Sequence, residues 1–267
     1  MKTQAILNKK KNVQNISRFT TAMRMMSNIK LAALLKYKAS FFETYETIYS
    51  ILKHLHKTTT QVSDFTIHVI FATNQRFCKD FLQRIITHVN GMNFDQNDHI
   101  ILIGKNIHYY FENRKNTSYY ESVNTFAEIF LISKYIQRIM QTNKITNVKL
   151  HGYVKEKDEI SAKSILPIIK SKNEKKFMNK SLIDSYLNNC IIENVNFESV
   201  ETMYIAYEMY RMMIEHTLEE TFIRVNATSS AADNIEKIQE EYQRLHNRIR
   251  QEEITNEMLI VSAGAGG

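Results

Sequence analysis

The chain has 267 residues, of which 24% are charged and 43% hydrophobic, a balance that excludes a wholly disordered protein. Its net charge is +7, and the first 38 residues hold nine Lys or Arg and no acid, which favours an anionic neighbour such as an acidic protein surface, nucleic acid or lipid headgroups. Cys78 and Cys190 predict isolated buried thiols and neither a metal nor a cofactor site, and no apolar run reaches the ~20 residues of a membrane-spanning helix.

The first element is a long helix, predicted from Leu7 to His56 because no proline or glycine interrupts the pattern. Its apolar side chains return at spacings of three and four. We expect a seven-residue stripe that packs against another helix. The stripe predicted in this way contains Ile16, Phe19, Met23, Met26, Lys30 and Ala33.

In the middle of the chain the spacing of apolar residues changes, and short strand-like runs alternate with helical ones. This alternation predicts an α/β unit with a partly parallel, Rossmann-like sheet. The predicted strands are Phe65–Ala72, His99–Ile103, Val148–Val154 and Ile165–Ile169. The predicted helices between them are Cys78–Val89 and Glu121–Met140. Pro167 places the fourth strand at a sheet edge or a strand end, because proline cannot donate to the ladder.

The last part of the chain is again helical. A loop at Lys170–Lys180 and a short helix at Leu182–Leu187 precede a helix predicted from Glu198 to Val261. Its heptad positions are Ala231, Ile235, Ile238, Tyr242, Leu245 and Ile249. We therefore predict a long antiparallel coiled coil of the N-terminal helix (1–60) and the C-terminal helix (181–267), with a central α/β domain (61–180) between them. The apolar end Met258–Val261 favours a surrounding partner.

Two segments at opposite ends resemble one family. The run VQNISRFTTAMRMM at Val13–Met26, followed by Lys30-Leu31, resembles the opening helix of F-type ATPase γ subunits. The run NRIRQEEITNE at Asn247–Glu257 resembles their closing helix, and Ile165-Leu-Pro167 stands where they carry LLP. The segment Thr73–Phe81 departs from the family, since it lacks the family's glycines.

The resemblance implies a non-catalytic shaft that couples ATP synthesis or hydrolysis in a hexamer of three α and three β subunits to rotation and ion translocation. Expected partners are those subunits, a small ε-type subunit and the membrane c-ring, at the cytoplasmic face of a bacterial inner membrane in preference to the mitochondrial matrix. The resemblance also assigns the contacts with partner subunits to particular residues. These are Met23, Arg24, Lys30, Arg224, Arg250, Gln251, Thr255 and Glu257.

Three alternatives remain open from the residues alone. A basic coiled-coil protein could bind nucleic acid through its acid-free N-terminus. The middle domain could be a degenerate nucleotide-binding enzyme, although no phosphate-binding glycine loop is present. A γ-like rotor could also drive work other than ATP synthesis. The coupling ion and the direction of catalysis are not encoded in any motif.

Overall fold

The computed structural model describes residues 2–55, 63–73, 78–105, 107–167 and 196–264. The helices are α1 (Lys2–Leu55), α2 (Lys79–Asn90), α3 (Phe126–Asn143) and α4 (Phe197–Gly264), with a short 3-10 helix at His108–Phe111. The strands are β1 (Thr66–Phe71), β2 (His99–Ile103), β3 (Thr117–Tyr120), β4 (Asn147–Val154) and β5 (Glu159–Leu166). Cys190 and the loop and short helix predicted between Lys170 and Leu187 lie outside the described residues. The described residues form two units, one of 1–31 with 222–267 and one of 32–221.

The second unit is built on a five-stranded sheet with the order β3-β2-β1-β4-β5. The neighbours β3, β2, β1 and β4 are parallel, and β5 pairs antiparallel with β4. Both faces of β1 are buried, which explains its unbroken apolar run. The sheet confirms the predicted mixed α/β fold, and β5 lies at an edge as Pro167 required.

Two strand predictions need correction. The edge strand runs from Glu159 to Leu166, so it starts earlier than Ile165 and ends before Pro167. Its first part was missed because Glu159–Ser164 mixes polar and apolar side chains and has no continuous apolar run. Residues 168 and 169 of the predicted strand lie outside the described residues. Strand β3 was not predicted, since Thr117–Tyr120 is short and mostly half-exposed and has no apolar run.

Helix α3 begins at Phe126, five residues later than predicted, because Thr125 caps it. The Thr125 hydroxyl accepts the Glu128 N–H, and the Glu128 carboxylate accepts the Thr125 N–H at 3.0 Å in return. This reciprocal capping box holds the pKa of Glu128 below its ordinary value, because backbone N–H groups favour the charged form. The sequence T-x-x-E is the signal that could have placed this end.

Within the sheet-containing unit, α1 and α4 run antiparallel and pack through aromatic side chains. Tyr37 lies against Tyr210 with ring centroids 6.3 Å apart, whereas Tyr49, further along α1, lies against Tyr204 at 5.7 Å. Phe41 fills the space between these pairs, 5.1 Å from the Tyr210 ring. These ring contacts fasten the two long helices to each other beside the sheet.

A buried ion pair joins the edge strand to α4. The Lys163 ammonium lies 2.7 Å from the Glu208 carboxylate, whose side chain is 1% exposed. The Tyr45 hydroxyl donates to the other oxygen of Glu208 at 3.3 Å. Burial raises the pKa of Tyr45, and the Glu208 charge raises it further, so this hydroxyl stays protonated. Glu208 therefore depends on Lys163 as a close cation.

We expect Lys163→Met to lower the free energy of unfolding by about 2 kcal/mol, because it leaves the Glu208 charge poorly compensated inside the protein. The figure is below that of a fully buried pair because the Lys163 side chain is 32% exposed. Urea denaturation of the full chain measures the change. Adding Glu208→Gln to Lys163→Met should recover much of the loss, whereas Lys157→Met in an exposed turn should cost little. An unchanged midpoint for Lys163→Met would contradict this role.

Candidate partner-binding surface

The first unit contains the N-terminal part of α1 and the C-terminal part of α4, and buried or half-buried α1 positions repeat in it every three and four residues. These positions are Val13, Ser17, Thr20, Arg24, Ser27 and Leu31. They form a heptad stripe, as predicted for a coiled coil. However, most predicted members of that stripe were wrong, because Ile16, Phe19 and Met26 are 52%, 60% and 65% exposed and Lys30 and Ala33 are exposed as well. Only Met23 is half-buried.

The two buried positions of the stripe on α1, Thr20 and Ser27, are small hydroxyl side chains that form hydrogen bonds within their own helix. The Thr20 hydroxyl donates to the Ile16 carbonyl and the Ser27 hydroxyl to the Met23 carbonyl, each at 2.8 Å. Because both hydroxyls are bonded within the helix, burying them leaves no unpaired donor. Small side chains also let two helices approach closely. The fit of the side chains along this stripe, which we call the seam, therefore decides which face of α1 is turned inward, and their hydrophobicity does not.

Several large apolar side chains in the N-terminal part of α1 consequently point outward. Ile16, Phe19, Met25, Met26 and Ile29 are all more than half exposed, Ile29 at 69%. We call these five side chains the outer apolar face. Large apolar side chains left exposed on the outward half of a helix favour a surface that another protein covers.

The stripe on α4 was predicted half correctly. Ile235, Tyr242 and Ile249 are half-buried as expected, since they recur every seventh residue. Ala231, Ile238 and Leu245 are exposed, and the positions that take their place in the stripe are Ala232, Gln239 and His246. At two of these places the more polar neighbour, Gln239 or His246, is turned inward, which a hydrophobicity pattern alone does not reveal.

Three of the predicted partner-binding residues meet in this unit. An Arg224 guanidinium nitrogen lies 3.9 Å from the Met23 sulfur, and Arg24 lies 3.7 Å from the Asp233 carboxylate. The Arg24–Asp233 pair is largely exposed, with side chains 37% and 66% accessible, so it contributes little stability. The structure thus brings Met23, Arg24 and Arg224 to one region, where two arginines present positive charge.

The other predicted partner-binding residues lie apart from that region. Lys30 is exposed on α1, and every residue from Arg250 to Gly264 is exposed on α4. The Thr255 hydroxyl donates to the Gln251 carbonyl, and so it is already bonded within its helix. Among the residues that the structure describes, neither Arg250 nor Glu257 has an ion pair or a side-chain hydrogen bond, which leaves both groups free for a partner.

The corrected phase makes a direct prediction about α1. Thr20→Leu should lower the melting temperature of the full chain, because overpacking a close helix seam costs about 1–3 kcal/mol. Its neighbour Phe19→Ser should change stability by less than about 0.5 kcal/mol, because that ring is already in solvent. Thermal denaturation of the two variants gives the comparison. A larger loss of stability for Phe19→Ser than for Thr20→Leu would show that Phe19, and not Thr20, is turned toward the neighbouring helix.

The sheet-containing unit shows whether a nucleotide could bind in the way that the enzyme alternative requires. In such sheets a ligand occupies the crevice outside the carboxyl ends of the strands where the strand order reverses, here between β1 and β4. Helix α4 fills this region: the Cys78 thiol donates to the Glu220 carbonyl at 3.4 Å, and Thr73 bonds the Glu220 carboxylate. The His216 ring packs 4.8 Å from the Phe81 ring, and its burial lowers its pKa. The crevice is therefore part of the core, and Cys78 is a buried thiol as predicted.

Comparison with known proteins decides the family. A family model described as ATP synthase matches residues 2–266. The chain belongs to the ATP synthase family. Within it this is a gamma subunit, the central rotor stalk, as the terminal motifs predicted. An ATP synthase gamma chain of Mycoplasmoides gallisepticum is 24% identical over 93% of each chain, and one of Mycoplasma mycoides is 26% identical over 95% of this chain and 94% of its own length.

A solved structure has the same fold as this gamma subunit. The rotor of the Euglena gracilis mitochondrial ATP synthase aligns with a TM-score of 0.62 at 15% identity and covers 95% of this chain and 99% of that one. Within the described ranges, none of the helices is long and apolar enough to span a membrane. The same residues contain no group of three or more His, Cys, Asp or Glu side chains arranged to hold a metal ion.

Proposed function

We propose that the unit of residues 1–31 and 222–267 is the part of the rotor stalk that turns inside a hexamer of three α and three β subunits. One observation supports this most strongly: the outer apolar face is exposed although the hydroxyl side chains of Thr20 and Ser27 are buried. A helix pair that needed only itself for stability would bury its largest apolar side chains. A surrounding sheath of subunits would cover the face instead.

Rotation would be linked to catalysis by differential binding. The stalk carries different groups on different sides, apolar on the outer apolar face and cationic around Arg24 and Arg224. Each of three otherwise equivalent catalytic subunits would therefore meet a different surface and have a different nucleotide affinity. The chain itself contributes contacts and stiffness, and the chemistry belongs to its partners.

The charged contacts fall into two groups. Near the middle of the paired helices, Met23, Arg24, Lys30 and Arg224 would face acidic side chains of the β-type subunits. Towards the end of α4, Arg250, Gln251, Thr255 and Glu257 would meet a polar loop. Arg250 suits a carboxylate partner, because its guanidinium can form two parallel hydrogen bonds.

The sheet-containing unit would connect the stalk to the membrane sector. We propose that it rests on the c-ring and binds a small ε-type subunit, with the complex held peripherally at the cytoplasmic face of a bacterial inner membrane. The division into segments 1–60, 61–180 and 181–267 is proposed as the functional one: helix, coupling domain, helix. The similarity to bacterial gamma chains supports the bacterial location.

The role of Arg250 is tested by pairing it with Arg248. Arg250→Ala should reduce ATP-driven ion pumping per ATP hydrolysed about tenfold in a reconstituted complex, as expected for one charge-assisted contact. Arg248→Ala is the matched control, since Arg248 is also exposed on the same helix but bonded to Glu252 at 3.2 Å. Equal pumping by the two variants would remove Arg250 from the contact surface.

A further inference from the structure

The sheet-containing unit holds a chain of three histidines that the rotor role does not use. His68 Nδ1 lies 2.9 Å from His151 Nε2, and His151 Nδ1 lies 3.1 Å from His88 Nε2. His68 Nε2 lies 3.4 Å from the Asp98 carboxylate. We call this row, Asp98–His68–His151–His88, the imidazole relay.

The relay runs from the interior to the surface. His68 and His151 are 4% and 1% exposed, and they point to the same face of the sheet because His68 pairs with Lys149 and Ile70 with His151 in the parallel ladder. His88 on α2 is half-buried and lines an open surface pocket with Asp80 and Glu159. The outermost ring therefore touches solvent, while the innermost one touches a carboxylate.

Hydrogen-bond logic allows only one arrangement of protons in the neutral relay. Asp98 accepts the backbone N–H of Thr66 and of Asp95, each at 2.8 Å, so its carboxylate acts as the acceptor at the inner end. His68 must then donate from Nε2 to Asp98, which leaves its Nδ1 to accept from His151. By the same rule His151 donates from Nε2 and accepts at Nδ1 from His88. All three rings are the Nε2–H tautomer, and the free acceptor is His88 Nδ1.

The same geometry carries one extra proton inward. A proton that binds His88 Nδ1 lets the His88 Nε2 proton pass to His151 Nδ1, and the His151 Nε2 proton pass to His68 Nδ1. Charge is conserved: one proton enters, His88 and His151 end as neutral Nδ1–H rings, and His68 ends as an imidazolium beside the Asp98 carboxylate. The two hydrogen bonds between rings survive with their direction reversed, and His68 Nε2 still donates to Asp98, so transfer needs no ring to move.

We propose that the imidazole relay is a proton-uptake site, loaded at His88 and holding one proton between His68 and Asp98. In a network with only a structural role, acidification would not change the tautomers of His88 and His151 or move a proton to His68. The relay gives this unit an acid-responsive element inside the sheet that the rotor function does not require.

The charges around the relay define its response to pH. Asp98 and Asp95 precede β2, Lys149 stands on β4, Glu159 on β5 and Arg114 after the 3-10 helix. Burial is the main cause that lowers the pKa of His68, Asp98 opposes it, and Lys149 and Arg114 add to it. Glu159 opposes the effect of burial on the pKa of His88. Proton uptake is therefore expected at acidic pH. The negative charges lie at the two ends of the row, Asp98 beside His68 and Glu159 beside His88.

Nitrogen-15 NMR of histidine-labelled full-length chain tests the proposal without any substitution. At neutral pH all three rings should show a proton on Nε2 and none on Nδ1. On acidification His68 should become doubly protonated while His88 and His151 change to the Nδ1–H form. A ring with Nδ1–H at neutral pH, or a proton that stays on His88 with the inner rings unchanged, would overturn it.

Two variants and one control test separately where the proton enters, at His88, and where it is held, between His68 and Asp98. His88→Gln can still donate to His151 but cannot relay, so His68 should no longer take up a proton over the same pH range. Asp98→Asn removes the stabilising charge, so the proton should stop at the outer rings. His99→Gln is the matched control, because His99 is half-buried next to Asp98 and lies outside the row. Protonation of His68 that is unchanged in His88→Gln would contradict entry at His88.

Discussion

Replacing Gly104 by alanine should lower the free energy of unfolding by roughly 3 kcal/mol, one of the largest losses expected from a single added methyl group. Gly104 follows β2 with φ of +125°, a conformation that L side chains rarely adopt. A Cβ at this position would lie 2.6 Å from the Ala72 carbonyl oxygen and 2.8 Å from its carbon. Ala72 directly follows the central strand β1, and its N–H donates to the Ile103 carbonyl at 2.7 Å, so its backbone cannot move away cheaply and the strain and the clash add.

Gly91→Ala supplies the control in the same unit. Gly91 ends α2 with φ of −78°, and a Cβ there would lie no closer than 3.5 Å to the nearest backbone oxygen. Its stability should therefore stay within about 0.5 kcal/mol of the parent chain. Urea denaturation of the two variants measures the difference. Equal urea midpoints for Gly104→Ala and Gly91→Ala would contradict the positive φ of Gly104 and its close contact with Ala72.

Acid should destabilise the sheet-containing unit well above the pH at which carboxylates titrate. Burial lowers the pKa of His68 to about 4 and that of His151 to about 2, from an ordinary value of 6.5. Below pH 6.5 the unfolded chain binds protons that the folded chain does not, so stability is complete above that pH and falls as the pH drops. His68 stops contributing to the loss near pH 4, and His151 near pH 2.

The expected loss between pH 8 and pH 5 is about 2–4 kcal/mol, since one pKa unit corresponds to about 1.4 kcal/mol and the two rings interact. Chemical denaturation at the two pH values gives the free energies. His151→Gln should flatten the dependence, whereas His108→Gln, at a side chain that is about half exposed and lies outside the row, should change it little. A free energy of unfolding that is constant from pH 8 to pH 5 would show that the buried rings titrate normally.

Much of the fold was predictable because the strongest signals are local. Strand β2 was predicted from His99 to Ile103, as observed, since it is a continuous apolar run ended by glycine. The long helices were predictable from the scarcity of proline and glycine. Strand β3 was not, because its residues are stabilised by their place at the sheet edge and not by a pattern of their own.

The surface of the stalk was only partly predictable. Hydrophobic periodicity assumes that the largest apolar residues are buried within the chain, and this assumption places Phe19 in the seam. Here Thr20 takes that place, since the apolar side chains of α1 form the outer apolar face. The terminal motifs identified the family correctly, but they could not show which helix face is turned outward. The imidazole relay left no signal either, because its histidines come from three separate elements.

Observation of single complexes tests the central account most directly. A bead attached at Lys115→Cys, an exposed site on the sheet-containing unit, reports the motion of the chain once Cys190 is replaced by serine and the hexamer is fixed to a surface. With ATP the bead should turn in one direction and pause at three positions per turn, because three equivalent catalytic subunits act in sequence. Steady ATP hydrolysis by the hexamer with a motionless bead would contradict the assignment of this chain as its rotor.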